Sequence, residues 1–197
     1  MLRYVAFGAL ALGLSSGLAL SQSAIESVYT KFDTKRCKKA KGVWTCPGHA
    51  GQPIRVAVGD ERMLISYGPP GKDDRAREQS LPGFNNAYEG TVEWRMEKPA
   101  KGKPRPFATI LRWNALSEKD AENATGPITA TGRILVVTRL GPGGVCHVGY
   151  VDAVANPDAN DLARKLADKH ARNFRCGVDK RVVVGRKGNV PLPDGEI

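Results

Sequence analysis

The chain has 197 residues, 41% of them hydrophobic and 25% charged, the proportions of a globular protein, which exclude a disordered or collagen-like polypeptide. Lys and Arg number 30 against 20 Asp and Glu, a formal net charge of +10, so the surface attracts polyanions at long range, although charge alone picks no partner. The 22 Gly and 13 Pro, spread along the chain, suit many short strands joined by turns better than a helical bundle.

Residues 1–23 carry the features of a cleaved export signal. Arg3 gives a positive start, Val5 to Leu20 an apolar run, and Ala19-Leu20-Ser21 a small-x-small cleavage site. The run is shorter than the ~20 residues a spanning helix needs, so no transmembrane anchor is expected. Residues 24–197 are then expected to form one domain, periplasmic or secreted. In that oxidising setting Cys37, Cys46, Cys146 and Cys176 read as disulfides. Of the three connectivities, Cys37–Cys46 with Cys146–Cys176 is favoured, because each pair is nearest in sequence and brackets a local unit. Zinc is the weaker rival: there is no C-x-x-C, and His49, His147 and His170 are scattered.

In chain order, Ser27 to Phe32 alternates weakly and runs into Asp33-Thr34, a cap for one helical turn reaching Cys37. Lys31, Lys35, Arg36, Lys38, Lys39 and Lys41 crowd here against Asp33 alone, and Trp44 to Gly48 is expected to close the segment with Pro47-Gly48 as a turn. Pro53 to Val58 and Arg62 to Tyr67 read as a hairpin across Gly59-Asp60-Glu61. From Lys72 to Gly90 the pattern dissolves, predicting a long surface excursion. Thr91 to Glu97 puts Val92, Trp94 and Met96 on one face and charges on the other, the pattern of a half-buried antiparallel strand. Lys98, Lys101, Lys103 and Arg105 follow in a basic, proline-broken connection before a strand over Phe107 to Trp113.

Ser117 to Pro127 reads as a polar loop containing Asn123-Ala124-Thr125, a glycosylation sequon that has no meaning in a bacterial chain. Arg133 to Leu140 and Val145 to Val151, apolar on both faces, predict a central hairpin across Gly141 to Gly144. Asn156-Pro157 should open a helix as N-cap and N1. Leu162, Leu166 and Phe174 with Ala163, Ala167 and Ala171 mark its apolar stripe, and Cys176-Gly177 its stop. Arg181 to Val184 is expected as a last strand, with a frayed tail after about residue 186. The fold class is therefore α+β: a mostly antiparallel, curled or sandwich-like sheet with one C-terminal amphipathic helix, disulfide-bonded.

Motifs for chemistry are few. Gly141-Pro142-Gly143-Gly144 reads as a turn rather than a phosphate cradle, since it precedes a strand and Pro142 lacks a donor. Asn156, Asp158 and Asn160 alternate as calcium ligands do, but Asp161 and Ala167 stand where glycine and a bidentate Glu are required. Cys146 and His147, adjacent in a strand, should point to opposite faces and form no thiol–imidazole pair. No nucleophile elbow occurs. The aromatic residues Trp44, Trp94, Trp113, Tyr29, Tyr67 and Tyr150 read as core, with Tyr88, in the long loop, the exception.

Ser27-Val28-Tyr29-Thr30 before Cys37, Trp44-x-Cys46-Pro47-Gly48, Ser66-Tyr67-Gly68, and Cys146-His147-x-x-Tyr150-Val151-Asp152-Ala153 before Asn156-Pro157 resemble a group of small exported proteins of rhizobial and related alphaproteobacteria. The resemblance implies a periplasmic, disulfide-bonded domain and carries no catalytic residue. The expected function is a non-enzymatic binding module whose basic surface, Lys31 to Lys41 with Lys98 to Arg105, contacts anionic envelope polymers or another envelope protein. Neither a cofactor, a metal nor a specific nucleic acid is expected, and the expected state is a monomer. The alternative is an envelope-acting hydrolase with His147 and Asp152 near its site, or an inhibitor of a cell-wall hydrolase.

Overall fold

The computed structural model describes residues 25–88, 90–123 and 130–193. The expected export signal and most of the sequon lie outside them. Strand β1 (Ile25–Lys31) leads into a 3₁₀ turn at Thr34–Arg36, capped by the Asp33 carboxylate, which accepts the Lys35 N–H at 3.0 Å. Two hairpins follow: β2 (Lys38–Ala40) with β3 (Val43–His49), and β4 (Gln52–Gly59) with β5 (Arg62–Tyr67). The second turns on Asp60 and Glu61, at φ 51° and 57°, the left-handed pair whose twist matches the flanking strands. Then come β6 (Phe84–Asn86), β7 (Thr91–Glu97), β8 (Arg105–Leu116), α1 (Glu118–Glu122), β9 (Gly132–Arg139), β10 (Cys146–Asp152), α2 (Ala159–His170) and β11 (Val182–Val183). The class is broadly α+β.

All strands join one network, antiparallel except at β5–β6 and β10–β11. Its branch point is β8. The first half of that strand pairs with β7, the second half with β6, and β9 runs along its other edge. From this strand the β7–β1 arm and the β6–β5–β4–β3–β2 arm diverge and fold to face each other. Trp94 of β7 meets Tyr67 of β5 edge-on with ring centroids 5.5 Å apart, although no hydrogen-bond ladder joins the two strands. The main core fills this space with Ile54, Met63, Ile65, Trp94, Trp113 and Tyr150. A second core lies on the other side of β8–β10, where Leu135, Val137, Val148 and Val151 meet Ala163, Leu166 and Ala167 of α2. Strands β8 to β10 are therefore covered on both faces, which accounts for their continuous apolar runs.

The structure differs from the expectations at several points. Pro47-Gly48 is not a turn but part of β3, where the register shifts between Cys46 and His49 and spares Pro47 a ladder bond; the chain reverses at Ala50-Gly51 instead. Residues 72–88, in the expected surface excursion, are docked: Asp74 bridges Val145, Leu81 and Ala87 are buried, and the segment contains a 3₁₀ turn and β6. Asn156 does not cap α2. Its amide donates to the carbonyls of Asp152 and Arg186, and its Oδ1 accepts the Arg186 N–H. Within the segment expected to fray after residue 186, Gly188 and Val190 are held: the Gly188 N–H donates to Asp152 Oδ2 at 3.0 Å and Val190 is buried against Gly132.

Candidate functional site

Lys31, Lys35, Arg36, Lys38, Lys39 and Lys41 are all exposed. Among the described residues no ion pair engages any of them. Their display follows from local structure. β2 is a free edge strand with every residue exposed, the 3₁₀ turn points its cations outward, and the Cys37–Cys46 disulfide fastens that turn to β3. Lys39 opposes Trp44 across the β2–β3 ladder, and its ammonium lies 4.2 Å from the indole ring centroid.

The second expected group behaves differently. Lys98, Lys101 and Lys103 are exposed on the β7–β8 connection, but Arg105 pairs with Glu97 at 2.7 Å. Glu97 also receives Arg172 at 2.8 Å. Burial raises its carboxyl, and the two guanidiniums outweigh that and hold it below the usual carboxylate range. The two basic groups are not brought together. Lys31 stands opposite Thr91 at one end of β7 and Lys98 follows Glu97 at the other, a separation of roughly 20 Å at the rise of a strand.

Beside the basic hairpin lies a groove of about 330 Å³, lined by Thr34, Lys35, Trp44, Val56, Val58, Met63 and Tyr88. It adjoins a cleft of about 520 Å³ that shares Val58, Met63 and Tyr88 and adds Phe84, Asn86 and Asn114 among others. Val58 and Tyr88 are 46% and 52% exposed, whereas Val56 and Met63 on the floor are buried. Trp44, half-buried and packed against the main core, also forms a wall of the groove. Sequence reasoning missed the groove because its walls come from β3, β4, β5 and two loops. Its one local signal was Tyr88, an aromatic residue in a polar segment.

The histidine and carboxylate considered for catalysis serve the fold. His147 is wholly buried, its Nδ1 lies 3.1 Å from the Tyr150 hydroxyl, and Trp113 packs edge-on at 5.8 Å. Burial, with the Arg181 charge adding to it, pushes the imidazole down to about 3. Asp152 is also buried, and its oxygens accept the N–H groups of Val154, Ala155 and Gly188 at 2.8, 3.0 and 3.0 Å. Both side chains are buried and engaged within the fold. His49 packs near Trp94, and His170 ends α2 in solvent.

The Gly141–Gly144 turn presents carbonyls, not amides, to its one buried charge. Arg139 donates to the carbonyls of Leu140, Pro142, Gly144 and Phe174 at 2.7–3.2 Å, the opposite polarity to a phosphate cradle. Cys146–Cys176 closes the same corner, with Gly144 packed on the Cys176 side chain. A further buried group escaped the sequence reading: Arg55 and Ser66 both donate to Asp74, tying the docked loop to β4 and β5.

No protein-family model, curated protein or solved structure matches this chain. The two disulfides fit an extracellular or periplasmic protein. No helix among the described residues is long and apolar enough to cross a membrane.

Proposed function

We propose that the protein is an exported, non-enzymatic binding module whose disulfide-fastened basic hairpin engages anionic envelope components. One contrast carries this reading. Arg55, Arg95, Arg105, Arg164 and Arg172 are committed to carboxylates, while Lys31, Lys35, Arg36, Lys38, Lys39 and Lys41 have no acidic partner among the described residues. The paired arginines are held by carboxylates within the fold; the cations grouped on and beside the stapled unit are left to solvent, where a polyanion can collect them. The scaffold behind them is a curled, sandwich-like sheet backed by an amphipathic C-terminal helix. The hydrolase alternative gains no support from the burial of His147 and Asp152.

The test is co-sedimentation of the mature protein with phosphatidylglycerol-containing vesicles and with lipopolysaccharide. Binding is expected at low salt and is expected to be lost by about 0.5 M, where screening shortens the reach of exposed charges to a few ångström. A Lys35→Glu, Lys38→Glu, Lys39→Glu variant should bind at least tenfold more weakly, and the equivalent change at Lys98, Lys101 and Lys103 should matter less. Retention no better than that of a neutral protein of equal size overturns the reading.

A further inference from the structure

We propose that the groove beside the basic hairpin takes the acyl chain of a single-chain anionic lipid, with the headgroup held by Lys35 and Lys39. The inference rests on the reading of the hairpin as an anion-binding surface and adds the chemistry of what the anion is attached to.

Strand register supplies the geometry. Lys39 pairs with Trp44, Trp44 with Val56, and Val56 with Ile65. Residues paired in this way share a face of the sheet, so these four form one row that faces the opposing arm. Along the row burial falls steadily: Ile65 and Val56 are buried, Trp44 is half-buried and Lys39 is exposed. The row crosses three strand spacings, roughly 14 Å, and passes from hydrocarbon to indole to ammonium. The inner face of the sheet outruns the core that covers it, and the uncovered part ends in cations. Lys35 lines the groove, the Lys39 ammonium lies over the Trp44 ring that forms its wall, and Tyr88 and Val58 form the rim.

That gradient matches an amphiphile. Val58 and the ring faces of Trp44 and Tyr88, over the buried Val56 and Met63, present apolar surface to the groove, so sugar hydroxyls laid on it would be desolvated without replacement. An alkyl chain loses nothing there, and its volume suits a site at the small end of ligand pockets. A neutral apolar segment would leave the cationic entrance unused. A chain with a phosphate or carboxylate head uses both ends.

Calorimetric titration with monomeric alkyl phosphates, below their micelle thresholds, tests the assignment on the mature protein. Octyl, decyl and dodecyl phosphate should gain about fourfold in affinity per added methylene, dodecyl maltoside and dodecyltrimethylammonium should bind at least tenfold more weakly than dodecyl phosphate, and Val58→Asp should lose dodecyl phosphate at least tenfold. Tyr88→Ala, in an exposed loop position, repeats the groove test without touching a strand, and circular dichroism melting checks that both variants fold. Affinity independent of chain length, or unchanged in both variants, overturns the proposal, as does competition by oligogalacturonate that the same variants abolish, which would make the occupant an acidic glycan. If alkyl phosphates fail while salt-dependent vesicle binding persists, only the groove assignment falls. If both fail, the reading of the basic hairpin falls with it.

Discussion

His147 shows how far one residue can be read from its neighbours. Alternation along a strand correctly separates it from Cys146, which faces α2, but the same rule would also separate it from Tyr150. The register shift between His147 and Gly149 resets the alternation and puts the imidazole and the phenol on one face, 3.1 Å apart. A bulge leaves little trace in a run of apolar residues, so the sequence named the residue without revealing its burial. The burial has a measurable consequence. The folded imidazole titrates at about 3 against its ordinary 6.5. Between these values the unfolded chain binds a proton that the folded chain does not, so this contribution is intact above pH 6.5 and drains away as the pH falls toward 3. The slope cannot exceed about 1.4 kcal/mol per pH unit. Urea unfolding from about pH 7 to about pH 4 should therefore show stability falling with acid, and His147→Leu should remove up to that slope from the curve. An unchanged slope would place the titrating groups elsewhere.

At the scale of elements, the informative case is β7. Its alternation was legible, and Val92, Trp94 and Met96 do enter the main core. The other face was misread as open to water, because a period of two says which residues share a side and not what covers it. Glu93 and Arg95 are 7% exposed. Arg164 of α2 pairs with Glu93 at 2.8 Å, Asp168 takes both ends of Arg95 at 2.9 and 2.7 Å, and Arg172 reaches Glu97. Arg164 and Asp168 of α2, with Arg172 just beyond its end, set the helix along the strand. The Glu93 hydrogen bond raises the Arg164 guanidinium above its usual value, against the opposing effect of burial. The Asp168 side chain retains 29% exposure, so water screens part of the attraction. A double-mutant cycle on Arg95→Met and Asp168→Asn should give a coupling of about 1–2 kcal/mol, with Asp168→Asn alone costing about 2 kcal/mol because Arg95 stays buried. Coupling near zero would reduce the ladder to packing.

For the whole molecule, the strands were legible because Gly and Pro punctuate them, and the cysteine spacing carried the disulfide pairs because each bond closes a local loop. The hairpins β4–β5 and β9–β10 were legible as well, but the pairing of strands distant in sequence was not. β8 extends to Arg105 and Leu116, beyond the expected Phe107 to Trp113; the added end from Asn114 to Leu116 is where it meets β6, and β7 pairs with it from Arg105 to Ile110. Long-range pairing is decided by which faces remain apolar after folding, a property of no single segment. The two disulfides should differ in what they hold. Loop lengths of 9 and 30 residues correspond to about 2.6 and about 3.7 kcal/mol of chain entropy. Replacing Cys146 and Cys176 with Ser should thus lower the melting temperature more, whereas replacing Cys37 and Cys46 should take the larger toll on vesicle binding by loosening the basic hairpin. Equal losses of binding would separate the hairpin from the site. The anchored tail acts as a clasp. Val190 fills the space over Gly132, and the Gly188 amide donates to Asp152 Oδ2, while Oδ1 is already held by Val154 and Ala155. Replacing Val190 with Asp should therefore open the edge of β9 to proteases at concentrations that leave the parent intact, because that substitution unplugs the core without touching a strand.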